Sequence, residues 1–388
     1  MEGRSSTEPQ IVALDRSSGQ RETLAVGRNP VYASSGHVIY DSAAAGIWAI
    51  PFSVDTMRAT GDPFPISENG TEPSIALDGT LVYLEGAVAS GLTGLVWRDR
   101  EGKRLGEIGE PHAIQIGAPA LSPDGSRVAV QARNYDLWIH EVNRPMKTLL
   151  LGSPAREIRP IWSPQGDRIV FSSAPGARLP RSVHIVDADG KEDPVPVLES
   201  TEFNDYVTDW SADGNTLVVT RANVADKNNF DLWYLQRKEG GGWQETPFLQ
   251  TKHAELHAKL SPDSRFISYG SYETGEREIY VRSFPDGKSF RRVSANGGAQ
   301  AQWRRDGKEL FFVEGNSLMA VPVTTTPSLT VGTAKKLFSH DSLPSRVGNT
   351  YDVAPNGQRF ILCETEAVAS DAKIRVVLNW LGEFEGRE

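Results

Sequence analysis

The sequence predicts an all-β fold, an eight-bladed β-propeller of four-stranded antiparallel blades, on three observations. The first is the stretch ALSPDGSRVAV at 120–130, in which an apolar residue, a polar turn and an alternating strand follow one another. The Asp124-Gly125 pair suits a two-residue reversal, because Gly accepts a positive φ without steric cost, and Val128 and Val130 alternate with Arg127 and Ala129. The second is recurrence. Related kernels centre on Gly36, Gly79, Gly125, Gly166, Gly214, Ser264, Gly307 and Gly357, at successive separations of 43, 46, 41, 48, 50, 43 and 50 residues. The third is the position four residues before each centre, held by Tyr32, Ile75, Leu121, Trp162, Trp210, Leu260, Trp303 and Val353. All are large and apolar, as innermost strands wedged blade against blade require.

The elements follow in order. Residues 1–9 read as a disordered tail and 10–388 as a single propeller. Gln10 to Gly27 gives two strands about the turn at Arg16–Gly19, without inner strands of their own. Blade one takes Pro30–Ser34, His37–Tyr40, Ile47–Phe52 and Phe64–Ser67, and blade two takes Leu81–Leu84, Gly94–Asp99 and Arg104–Ile108. Blades three to seven repeat the plan, with DLWIHE, SVHIVD, DLWYL, EIYVR and SLMAVPV as their third strands. Blade eight has Gln358–Glu364 and Lys373–Trp380 and lacks an outermost strand. The ring is therefore expected to close with an N-terminal strand in the last blade, which removes two open sheet edges.

Composition bounds the function. A net charge of −9 disfavours general affinity for nucleic acid or anionic membrane. The single cysteine, Cys363, excludes an intramolecular disulfide and a cysteine-based zinc cluster, and reads as a small apolar residue in a strand. No apolar run reaches the roughly 18 residues that span a bilayer. MEGRSSTEPQ at the N-terminus has no signal-peptide core, so the chain, if complete as written, is expected in the cytoplasm as a monomer.

Candidate chemistry is sparse. His253, Glu255 and His257 in HAELH have the spacing of a zinc-protease helix, but the segment leads directly into a strand, where it is expected to form a polar rim rather than a metal site. The kernel acids Asp78, Asp124, Asp213, Asp263 and Asp306 are expected to cap their own turns. No G-x-S-x-G occurs, and no cofactor is implied. The site expectation comes from geometry, since the loops entering the innermost strands converge on one mouth of a propeller channel. Seven residues before the kernel centres lie Asn29, Glu72, Ala118, Arg159, Val207, His257, Gln300 and Thr350, and nine before lie Glu157, Asp205 and Glu255. Asn29, Glu72, Glu157, Arg159, Asp205, Glu255, His257 and Gln300 form the candidate ligand-binding set, mixing both charge signs with amides and suiting a polar small molecule or a partner's peptide.

Together the kernels resemble the TolB-type, WD40-like propeller repeat, an SPDG turn followed by a strand and then an IY-V or LW-V strand. The resemblance runs from about Ile11 to Phe384. IVALDRSSGQRETLAVG, AIPFSVD, GTLVYLEG, LVWRDREG, SLMAVPV and VVLNWLGEF are similar in particular to the C-terminal propeller of bacterial transmembrane serine/threonine protein kinases. That resemblance implies an extracytoplasmic sensing or interaction domain. No kinase motif occurs here, neither HRD with a downstream Asn nor DFG, so no catalytic residue carries over. TolB propellers have six blades against the eight kernels counted. The reading is a non-catalytic binding or sensing module. The alternative is an enzyme, a metal-assisted lyase or hydrolase, with its site at the channel mouth.

Overall fold

The computed structural model describes residues 10–384, apart from 16–18, 20, 43–45, 69, 86–91, 113, 153–154, 175–179, 225–228, 345–348 and 366–372. The tail expected over 1–9 lies outside these. Among the described residues the fold is antiparallel β-sheet throughout, with one short helix at Trp380–Phe384.

All eight kernels are built alike. The central residue has a positive φ, from +54° at Ser264 to +81° at Gly36 and Gly79. Its N–H closes a turn on the carbonyl three residues back, as from Gly125 to Ser122 at 2.8 Å. The reversal is longer than the two residues expected. Ser122 N donates to Arg127 O at 2.8 Å, leaving a four-residue loop with one left-handed position. Side chains fill the extra room: Asp124 accepts from Ser122 Oγ at 2.6 Å, Ser126 N at 3.1 Å and Ser126 Oγ at 2.7 Å. These bonds hold its carboxyl down at about 2. Asp78, Asp213, Asp263 and Asp306 likewise accept from the backbone N–H two residues on, the capping role read from the sequence.

The chain divides into two compact units, Met1–Gly91 with Ala367–Glu388, and Leu92–Glu366. The first holds two sheets. One runs Gln10–Leu14, Arg21–Ala33, His37–Ser42 and Ile47–Ser53 in order, with Arg58–Ala59 and Phe64–Ser67 also paired to the last of these. The other has Lys373–Val377, Leu81–Glu85 and Gly70–Ile75. Trp380, on the short helix, is buried with Ile39, Ile47, Phe64, Leu81 and Tyr83.

The second unit holds six sheets. Their innermost strands neighbour one another in sequence: Ile116–Leu121, Ile158–Trp162, Phe203–Trp210, Glu255–Leu260, Ala299–Trp303 and Tyr351–Val353, the last returning to Ile116–Leu121. The wedge residues stitch these strands together. Trp162 Nε1 donates to Ala120 O at 2.8 Å and Trp303 Nε1 to Lys259 O at 3.1 Å. Tyr32 of the first unit is the exception, 48% exposed.

Two expectations are corrected. The strand assigned to blade two, observed as Thr93–Asp99, sits third in the sheet of the Gly357 kernel, and Arg104–His112 completes that sheet as its fourth strand. The strand assigned to blade eight, observed as Lys373–Val377, sits third in the sheet of the Gly79 kernel. The exchange closes the six-sheet cycle without an N-terminal strand, and Gln10–Leu14 stays with Arg21–Ala33. The physical reason lies in side-chain polarity. Arg359–Thr365 is buried on both faces and needs a neighbour apolar on both, which Leu95, Val96 and Trp97 supply. Lys373–Val377 is half charged and exposed, fit only for an edge. Ion pairs lock the choice: Arg98 grips Glu364 at 2.5 and 2.9 Å, and Arg100 reaches both Glu309 and the Gly357 carbonyl.

Candidate functional site

Six of the eight residues seven before the kernels occupy a repeated backbone device, Val207 and Thr350 being the exceptions. Asn29, Glu72, Ala118, Arg159, His257 and Gln300 all have φ between +49° and +57°. Each stands in a β-bulge, where the pairing register breaks, as between Ile158 and Ile161 or Leu256 and Lys259. A non-glycine residue in this region costs on the order of 1–3 kcal/mol, so the surroundings must hold it there. In several sheets a neighbour captures the bulge N–H. Asp41 Oδ1 accepts from Glu72 at 3.0 Å, the Asn349 carbonyl from Ala118 at 2.9 Å, and Gln131 Oε1 from Arg159 at 3.4 Å.

The eight candidate residues are divided between the two units. Asn29 and Glu72 belong to the first unit, where both bind Asp41, Asn29 through Nδ2 at 2.7 Å. In the second unit, Asp205 is fully buried in an ion pair with Arg221 at 2.6 Å, and that guanidinium also meets Glu245 at 2.7 Å and lies over Phe203 and Trp233. This is a structural clamp within one sheet. Gln300 accepts from Thr350 N at 2.7 Å and donates to the Leu343 carbonyl at 3.3 Å, tying two inner strands. Glu157 is buried at the start of its strand. Glu255 accepts from Thr251 Oγ1 at 2.7 Å, its Oε2 has no hydrogen-bond partner among the described residues, and burial raises its carboxyl to about 7.

Arg159 and His257 both line a cavity of about 370 Å³ inside the second unit. It runs from these two bulges to the kernel turns at Pro123, Pro164, Ala212 and Pro262. Its middle is a collar that sequence reasoning missed. The residues five before the kernels, among them Asp209, Lys259, Gln302 and Asp352, line it. Their signal was available: in a strand, neighbours point to opposite faces, so wedges at one position imply channel-facing residues at the next. Asp209 accepts from Leu260 N at 2.7 Å and lies 3.5 Å from Lys259 Nζ. Asp352 accepts from Leu121 N at 2.7 Å and Val353 N at 2.8 Å. Burial raises both carboxyls, and Lys259 opposes the rise. At the turn end, Arg305 donates to the Pro123 carbonyl at 2.7 Å.

At the other end the cations stand together. Arg159 lies 4.8 Å over the Tyr206 ring, with Arg181 at 5.6 Å from the same ring. Burial pulls Arg159 down to about 10, still cationic at neutral pH. Burial and then the charges of Arg159, Arg277 and Lys259 hold the His257 imidazole neutral. Among the described residues no cluster of three or more His, Cys, Asp and Glu is gathered; Glu255 and His257 lie on one strand and His253 in the bend before it. Cys363 is buried and raised to about 12.

No protein-family profile matches the sequence, and no curated protein sequence does. Solved structures do match. One assigned as TolB from Agrobacterium tumefaciens superposes with a TM-score of 0.56 at 18% identity, covering 72% of this chain and all of its own. The fold is similar to that of this β-propeller. TolB from Acinetobacter baumannii gives a TM-score of 0.45 at 14% identity over 89% of this chain and 77% of its own, and an oligogalacturonate lyase in complex with manganese gives 0.48 at 13% over 91% and 98%. At these identities the likeness concerns fold alone. Among the described residues no helix is long and apolar enough to cross a membrane.

Proposed function

We propose that the chain is a non-catalytic recognition module that takes a small polar ligand or a partner's peptide into the cavity of its second unit. The observation that carries this reading is the state of the collar acids. Asp209 gives one oxygen to Leu260 N and the other to Lys259 Nζ, and Asp352 gives one to Leu121 N and the other to Val353 N of its own strand, so both are engaged within the fold rather than poised as acid or base. Around them Trp162, Trp210 and Trp303 offer apolar walls and Gln302 a directional polar group, the composition of a site that orients a ligand. The likeness of LVWRDREG, SLMAVPV and VVLNWLGEF to receptor-kinase propellers supports a sensing role outside the cytoplasm.

A thermal-shift screen of the full chain against peptides and small polar metabolites tests this. At least one compound is expected to raise Tm, to lose that effect in Ala212→Trp, which plugs the exposed turn end, and to be recovered unchanged by mass spectrometry. Recovery of a converted product, or binding indifferent to the plug, overturns the reading.

A further inference from the structure

The second unit carries partly buried positive charge that no carboxylate among the described residues is paired with. The guanidinium of Arg159 faces the cavity, stacked on Tyr206, and no carboxylate stands among the groups that act on it. Its backbone N–H is satisfied by Gln131, but its side chain has no hydrogen-bond acceptor among the described residues. His257 shares the cavity wall, and the charges that reach it, from Arg159, Arg277 and Lys259, are all positive. Arg181 closes on the same tyrosine and leaves its Nε unpartnered among the described residues. Arg277, on the next sheet, lines a separate hollow beside Gln300.

Several other arginines of this unit are matched by carboxylates, while Arg127 and Arg282 at least reach backbone carbonyls. Arg98 has Glu364, Arg100 has Glu309, and Arg221 has both Asp205 and Glu245. An unmatched guanidinium drawn out of water is unfavourable unless something negative is brought to it, because desolvation removes its hydration and leaves nothing in return. The fork of donors is also the geometry that recognises a planar or tetrahedral oxyanion. A neutral imidazole adds one N–H donor beside it without adding charge. The two stand in strained bulges on inner strands that flank Phe203–Trp210 on either side, so the packed cycle sets the spacing between them.

We propose that the Arg159–His257 end of the cavity is an oxyanion site, holding the carboxylate or phosphoryl group of a small organic ligand whose body lies against Trp162, Trp210 and Trp303. The inference rests on the recognition reading above and names the ligand chemistry. Arg277 and Arg181 contribute long-range attraction from behind the site.

The test is titration of the full chain with inorganic phosphate and, separately, with succinate, at ionic strength held constant with sodium chloride. Calorimetry and indole fluorescence report binding. One saturable event is expected with at least one anion: phosphate alone assigns a phosphoryl ligand, succinate alone a carboxylate. Arg159→Gln is expected to weaken it at least tenfold, and Arg144→Gln, exposed and outside the cavity lining, to leave it unchanged. Because Arg159→Gln removes an unbalanced charge, its Tm without anion is expected to be no lower than that of the unsubstituted chain. Should that variant fail to fold, Arg277→Gln, expected to weaken binding about threefold, takes its place. Responses no larger than those to chloride alone, or anion binding equal in Arg159→Gln and Arg277→Gln to that of the unsubstituted chain, overturn the site. A neutral ligand blocked by Ala212→Trp but insensitive to Arg159→Gln, with flat anion titrations, removes the oxyanion site while the recognition reading stands.

Discussion

Glu255 sits at the start of an inner strand, buried, with Thr251 and Ser271 as hydrogen-bond partners. Its place nine before Ser264 put it at the start of an inner strand, where the structure has it. What the sequence could not convey is that Asp231 and Glu273 act on it, that Thr251 and Ser271 are its hydrogen-bond partners, and that it is buried. Those are facts of packing between segments, not of local pattern. They set a pH dependence. An acid raised to about 7 in the folded chain binds its proton more tightly than in the unfolded one, so its influence on stability is most favourable below pH 4.5 and declines as pH rises through 7. A shift of that size corresponds to roughly 3 kcal/mol. Glu255→Gln is therefore expected to raise stability at pH 8 and leave it little changed at pH 4, read as urea midpoints at the two values. An unchanged difference between pH 4 and 8 would contradict the account. His112 and His140, buried against each other at 2.9 Å and lowered to about 4 and about 3, act in the opposite sense, favouring the fold above pH 6.5 and opposing it as pH falls. Comparing the variant with the unsubstituted chain cancels them.

At the scale of elements, hairpins were legible and partners were not. SPDG and its relatives marked every reversal, because a turn is written in four or five consecutive residues. The bulges were half visible: their positions recur seven before six of the kernels, but Arg, His, Glu and Gln are not residues that announce a positive φ. The third strands of two sheets were exchanged because pairing between segments some 260 residues apart leaves no local trace, and only the two-faced apolarity of GLVWRD hinted at a central strand. Kernel counting could not detect this, since every kernel remains intact. The short helix Trp380–Phe384 shows the same limit, for its docking residue was read as the end of a strand. Trp380 is 1% exposed and meets His37 edge-on at 5.3 Å within the first unit's core. Trp380→Ala is expected to destabilise that unit by about 3–5 kcal/mol, the range for truncating a large buried aromatic. Denaturant unfolding followed by a probe in residues 37–52 would show it, and a loss under about 1 kcal/mol would mean the helix is not docked as described.

For the molecule as a whole, the consequential point is which segments make the second unit self-sufficient. Six sheets in a closed cycle leave no inner strand without neighbours on both sides, and the cycle is completed by Thr93–Asp99 and Arg104–His112, which precede the first kernel of that unit. They join the sheet of the unit's last kernel to its first segment, so the ends of the unit lie side by side in one sheet. This closure supports the cavity directly, since Asp352 of that same sheet adds its carboxylate to the collar and accepts there from Leu121 N. A fragment spanning 92–366 is accordingly expected to fold alone, with a single cooperative thermal transition. A fragment spanning 114–366 lacks the two outer strands of that sheet, the Arg98–Glu364 and Arg100–Glu309 pairs and the buried Leu95 and Trp97. That loss is comparable with the roughly 5–15 kcal/mol that holds a typical domain together. The shorter fragment is expected to lose its cooperative transition, followed by circular dichroism, and to lose anion binding with it. If 114–366 melts like 92–366, the cycle is closed by other contacts, and the two exchanged strands are ornaments rather than the clasp.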